Sequence, residues 1–107
     1  MPWLYLFLAG LFEIAWAVGL KASEGFTRPL LATLTLICMA VSFWLLATAM
    51  RSLPLGTSYA IWTGIGTIGA FVVGVVVFGE SANALRIASV TLIVAGVVGL
   101  KLGTTPV

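Results

Sequence analysis

The chain has 107 residues, 62% of them hydrophobic and 7% charged, with a formal net charge of +2, no histidine and one cysteine. Its mean hydropathy is +1.24. Soluble domains carry roughly 25% charged residues, so this composition excludes one and points to a chain whose solvent is lipid.

Four apolar stretches follow one another, at about 3–20, 30–50, 55–78 and 85–102. A helix crosses the hydrocarbon core with about 20 apolar residues, within a range of about 17 to 25, so each stretch can span. The prediction is an all-α membrane protein, a single transmembrane domain of four helices over residues 1–107. Met1-Pro2-Trp3 lacks the basic start of a secretory leader, so the first span is expected to be retained.

In that first span, from Trp3 to Leu20, Glu13 is a carboxylate among apolar residues. An ionised acid at the bilayer centre costs roughly 2.5–3.5 kcal/mol on insertion scales, which makes it a functional-site candidate by default. Residues three and four apart share a helix face. Ala9 and Gly10 therefore lie one turn before Glu13, and Trp16 and Ala17 one turn after. Gly10 supplies close packing beside the acid, and Trp16 offers an indole N–H and a ring face that attracts cations.

The connection from Lys21 to Pro29 holds Ser23, Glu24, Gly25 and a proline, ordinary turn chemistry. In the second span Cys38 is alone and reads as a small packed hydrophobe. Ser42 sits at about the depth of Glu13; its hydroxyl either faces a shared site or bonds the carbonyl one turn back, as serines in membrane helices commonly do. Met39 and Phe43 flank Ser42 and share a face at four-residue spacing. That face is either ordinary lipid-facing packing or an apolar portal through which a cation with an alkyl tail reaches the site from the membrane. Trp3 and Trp44 read as interfacial anchors.

The third span follows a break at Pro54 and Gly56 and places Tyr59 and Trp62 on one face. Gly64-Ile65-Gly66-Thr67-Ile68-Gly69 matches the dinucleotide fingerprint, but it lacks the preceding strand that the fingerprint needs. Its better reading is a run of small residues that admits a neighbouring helix, or a point where the helix bends. The fourth span, after Gly79 to Ala84, carries Ala95, Gly99 and Gly103 at four-residue spacing with Gly96 beside them, a surface for packing within a subunit or between two.

With no histidine, and with Glu24 and Glu80 at loop positions, neither a metal cage nor a Ser-His-Asp site can be assembled. The chain is not expected to be an enzyme, to hold a metal or cofactor, or to bind nucleic acid. What remains is a cation pocket formed by Glu13, Trp16, Ser42, Tyr59 and Trp62. Basic residues are divided almost evenly between the two membrane sides, Arg51 and Lys101 against Lys21, Arg28 and Arg86. A bias of one residue steers insertion weakly, so the chain either inserts both ways, which lets it pair with its own inverted copy as an antiparallel, dual-topology homodimer, or takes a single orientation set by a partner or by the N-terminal amine.

These residues resemble the small multidrug resistance transporters, over nearly the whole chain. The markers are Glu13, the loop Gly25-Phe26-Thr27-Arg28 and the run Tyr59-Ala60-Ile61-Trp62-Thr63-Gly64-Ile65-Gly66. Glu13-Ile14-Ala15-Trp16-Ala17 and Trp62-Thr63-Gly64-Ile65-Gly66 look like the guanidinium-exporting branch, although Thr67 stands where a smaller alanine is expected. The resemblance implies a bacterial inner-membrane antiporter. In it Glu13 of both subunits would bind guanidinium and protons in competition, with Trp16, Ser42, Tyr59 and Trp62 lining the site. Two other readings stay open, a broad exporter of aromatic and quaternary ammonium cations and a non-transporting membrane subunit in which Glu13 serves helix pairing.

Overall fold

A computed structural model describes residues 2–103, and helices are the only regular structure among them. They are α1 (Pro2–Ala22), α2 (Pro29–Ala49), α3 (Leu55–Val76) and α4 (Ala84–Leu102). Each is long and apolar enough to cross a membrane. In lipid every backbone polar group must be satisfied within its segment, which a helix does. Hydroxyls inside the spans follow the same rule. Thr33, Thr35, Thr48, Thr67, Ser89 and Thr91 each donate to the carbonyl four residues back.

The helix ends are set by local chemistry. Pro29 opens α2 at its first turn, and Arg28 before it is extended (φ −103°, ψ 110°), as a residue preceding proline prefers to be. Asn83 caps α4, its side-chain oxygen accepting from the Arg86 N–H at 2.9 Å. Arg86 thus belongs to the first turn of α4, inside the span expected at about 85–102. Helix α3 stops at Val76, short of the apolar run's end at Phe78, because Gly79 turns the chain with φ +69° and Glu80 N–H folds back to the Gly74 carbonyl at 3.0 Å.

Buried Ser23 organises the connection between α1 and α2. Its hydroxyl donates to the Leu20 carbonyl and accepts from the Phe26 N–H, while its carbonyl accepts from the N–H groups of Thr27 and Arg28. Those bonds hold Glu24, Gly25 and Phe26 at φ of 53°, 71° and 71°, a left-handed run that costs the two non-glycine residues strain.

Helix α1 packs along α2 and α3, whereas the backbone of α4 approaches that of α3 alone. The buried core gathers Leu6, Ala9, Leu45, Leu46, Ala49, Leu53, Ile61 and Trp62. It therefore fills the half of the subunit nearest the start of α1 and the α2–α3 turn. Glu13 lies where this dense half ends. Helix α4 buries none of its residues, and nothing lies within 4 Å of where a side chain would grow from Gly96 or Gly99. The subunit measures 41 × 35 × 16 Å, a flattened arrangement of the four helices.

Close approach between the helices depends on glycine. Helix α3 runs unbroken through Gly64, Gly66 and Gly69, which receive Val97 of α4, Glu13 of α1 and Ile14 of α1 respectively. Gly10 of α1 in turn faces Ile65. A methyl at Gly10 would lie 2.7 Å from the Cβ of Ile65, an atom that cannot move without its backbone. Alanine is a better helix former by about 1 kcal/mol, but overpacking a tight site costs typically about 1–3 kcal/mol. Gly10→Ala is therefore expected to destabilise the fold by up to about 2 kcal/mol, read as a lower midpoint of unfolding in a denaturing-detergent titration. A midpoint at or above the native one would contradict the tight α1–α3 seam.

Candidate functional site

The site begins with Glu13, which α1 directs at α3. A Cβ on Gly66 would collide with the carboxylate of Glu13, so the acid lies flat against the bare backbone of Gly66. Among the described residues, Glu13 Oε1 is buried and accepts no hydrogen bond. The three ion pairs all lie among Lys21, Glu24, Arg28, Glu80 and Arg86, and none reaches Glu13. One turn along α1, the indole Nε1 of Trp16 is also buried and has no acceptor. A desolvated acceptor and a desolvated donor thus stand on one helix face, each with hydrogen-bonding capacity unspent.

Below Glu13 the site is tied across three helices. Trp62 Nε1 of α3 donates to Ser42 Oγ of α2 at 2.9 Å, and Ser42 Oγ donates to the Ala9 carbonyl of α1 at 2.7 Å. Both Ser42 and Trp62 are buried. Of the two expectations for Ser42, bonding one turn back along its own helix does not occur. Its hydroxyl crosses to the carbonyl one turn before Glu13 instead. A buried network with every member satisfied is rigid, so this chain of bonds fixes the register of α1, α2 and α3 at the level of the acid.

Aromatic rings wall the site. Phe43 lies between the two indoles, its ring centroid 6.2 Å from that of Trp16 at 68° and 5.6 Å from that of Trp62 at 59°. Tyr59 continues the row, 5.5 Å from Trp62. These separations and tilts are those that aromatic pairs prefer. Phe43 and Tyr59 are exposed at the subunit surface, at 46% and 55%, so the row runs from the buried network out to the lipid or to a neighbouring subunit. Met39 is half-buried, one turn before Phe43 on α2.

All five expected pocket residues therefore fall in one region: Glu13 and Trp16 on α1, Ser42 on α2, Tyr59 and Trp62 on α3. Two contributions are visible only in three dimensions. Gly66, expected to admit a neighbouring helix or to mark a bend, forms the floor under the acid in an unbroken α3; its position four residues after Trp62 is the available clue. Phe43, expected at a lipid portal, also bridges the two tryptophans. Trp3, expected as an interfacial anchor, is half-buried with the Lys101 ammonium 5.1 Å from its ring centre.

Among the described residues the Glu13 carboxylate has no cationic partner and shares its helix face with the Trp16 indole, which suits a small cation able to donate hydrogen bonds. Comparison with known proteins bears on the same point. The profile of the family described as Small Multidrug Resistance protein matches residues 1–93. The chain is 56% identical over 104 residues to the guanidinium exporter of Escherichia coli (strain K12), covering 97% of this chain and 99% of that protein. It is 54% identical over 104 residues to the guanidinium exporter of Yersinia pestis, covering 97% of this chain and all 100% of that one. The Citrobacter freundii guanidinium exporter is 52% identical over 104 residues, with 97% and 99% covered. Four apolar helices and bacterial relatives of nearly equal length make this a multi-pass protein of the bacterial inner membrane, and the chain belongs to the Small Multidrug Resistance family.

Proposed function

We propose that the protein exports guanidinium and small guanidinyl cations in exchange for protons, as an antiparallel homodimer in which Glu13 of both subunits forms the shared site. The observation that carries this reading is the Glu13 carboxylate, held against Gly66 with a buried oxygen that accepts no hydrogen bond. A carboxylate accepts two parallel N–H groups from a planar guanidinium fork. The same oxygens bind protons, so substrate and protons exclude one another, and that exclusion is the coupling.

The names of the relatives support the substrate class, and the incomplete burial of Glu13 supports the pairing. Glu13 is only half-buried within one subunit, which leaves part of it to be covered by something else. A second, inverted copy would supply a second Glu13 and complete the site, as inverted repeats do in larger transporters. Alternating access then follows from the two subunits exchanging conformations. Deprotonated carboxylates take up one guanidinium from the cytoplasm; protons arriving from the more acidic outside displace it. Two protons exchanged for one monovalent cation carry one net charge inward, which the membrane potential favours by about 2.3 kcal/mol per 100 mV.

The aromatic wall favours a flat cation over a bulky one. Trp16, one turn from Glu13, meets Phe43, which in turn meets Trp62, so a row of rings begins beside the acid. Phe43 also reaches the subunit surface, with Met39 beside it, so an alkyl tail can remain in lipid while the guanidinium head meets the acid.

Two outcomes are expected. In liposomes fused to a supported membrane, guanidinium evokes an inward-coupled current that disappears in Glu13→Gln, while the variant keeps the native elution volume on size exclusion; currents mainly from a polyaromatic cation would move the protein to the drug-exporting class, and silence to both would favour a non-transporting subunit. Met39→Ala is expected to alter the half-saturating concentration of an alkylated guanidinium, whose tail loses its van der Waals contact with the methionine side chain, while leaving guanidinium itself nearly unchanged. Equal shifts for both substrates would remove the portal.

A further inference from the structure

The face of α1 that carries Glu13 continues through Ala17 to Lys21, eight residues and about 12 Å further along the helix. Helix α3 runs beside it in the same direction, presenting Gly66, Ala70 and Gly74. Between the two lies a cavity of about 180 Å³ whose walls include Ala17, Ala70, Gly74, Phe78, Lys21 and Glu80. That is about six times the ~30 Å³ share of one water. Its mouth is therefore charged and its walls are small. The cavity reaches inward to Ala17 and Ala70, one helical turn from the Glu13–Gly66 contact.

At the mouth the Glu80 side chain folds over Gly74, so that a methyl there would collide with its Oε1. Two cations face this carboxylate. Lys21 Nζ is 3.4 Å from Oε2 and Arg86 Nη2 is 4.0 Å from Oε1. Both separations exceed the roughly 2.7–2.9 Å of a charge-assisted hydrogen bond. Each cation also has a second seat. Lys21 lies 5.4 Å from the centre of the Phe78 ring, and Arg86 lies 4.9 Å from that of Phe71 and donates to the Ser81 carbonyl. Either can leave Glu80 and keep a partner. Loose pairing with cations that have elsewhere to go is what an exchangeable site needs, whereas a structural bridge gains from short, exclusive contacts.

We propose that Glu80 is a loading carboxylate at the mouth of the α1–α3 seam, where the guanidinium exchanges with the Lys21 ammonium before it reaches Glu13. The proposal rests on the export reading above. In an antiparallel pair the two copies of Glu80 stand on opposite sides of the membrane, one loading site for each face. The transit site is kept weak by the two cations beside it, so the substrate is held briefly and passed on.

The test measures the half-saturating guanidinium concentration of currents from the full chain in liposomes, for the native protein, Glu80→Gln and Lys21→Gln. Loss of the carboxylate is expected to raise that concentration about two- to fivefold, with the maximal current unchanged, the scale of an exposed ion pair. Loss of the competing ammonium is expected to lower it by about twofold or more. A purely structural triad would respond alike to loss of either partner, so shifts of the same sign, or no shift in either, overturn the proposal. A fall in maximal current with altered elution volume in Glu80→Gln would assign it to folding and overturn it as well; Glu80→Asp, which keeps the charge, is expected to stay within about twofold of native. A native chain silent to guanidinium brings down the export reading itself, whereas native currents with same-sign variants bring down the loading site alone.

Discussion

The structure is arranged around the contact between the Glu13 carboxylate and the backbone of Gly66. Bringing an acid into a membrane span is costly, and burying it without a partner costs more. The contact requires α3 to present no side chain at that level and α1 to lie close along it. Gly10 against Ile65, Gly66 against Glu13 and Gly69 against Ile14 meet both requirements in succession along the seam. The α1–α3 seam therefore serves packing and chemistry with the same residues, and a side chain added at Gly66 would act on both together.

Rigidity and openness are divided along the membrane normal. Below Glu13, towards the α2–α3 turn, the core residues pack and the Trp62–Ser42–Ala9 chain of hydrogen bonds locks three helices. Above it, the seam widens into a cavity bordered by Lys21 and Glu80. A transport site needs one wall that does not move, against which the binding group is oriented, and one direction in which the path opens. Here the locked half carries the indole of Trp62 and the carbonyl one turn before Glu13, and the open half carries small residues and loosely paired charges.

The spans and the acid are legible in the sequence because the bilayer sets a length for apolar runs and makes any intramembrane charge conspicuous. Spacing alone places Trp16 on the face of Glu13, and Tyr59 beside Trp62. Partners on different helices are another matter. Ser42 is equally able to bond its own helix, as six other hydroxyls in the spans do, and only the approach of α1 to α2 sends it to Ala9. Phe43 reads from its position on α2 as a lipid-facing residue, yet the crossing of α2 over the seam brings it between two tryptophans from different helices. Gly66 is conspicuous as a small residue, but what rests on it is decided by the rotation of α1. The Glu80 cluster is the hardest to foresee, since its three charges come from the end of α1, the α3–α4 turn and the start of α4.

Helix α4 shows how the same physics extends beyond one subunit. Its backbone meets α3 alone, and charged side chains link its two ends toward α1: Arg86 through Glu80 to Lys21, and Lys101 to the ring of Trp3. Along its length it exposes Leu92, Val94 and Val98 together with the bare backbone of Gly96 and Gly99. Lipid solvates leucine and valine well, so exposed aliphatic residues alone create no drive to associate. Bare glycine backbone is different, because it lets a second helix come close enough for continuous van der Waals contact, the main source of attraction between helices in a membrane. Charge clasps at the ends and glycine in the middle make α4 a helix held by its own subunit at two points and free to pack on another along its length. The proposed pairing uses that division: α1, α2 and α3 build the site, and α4 supplies surface to bring two sites together.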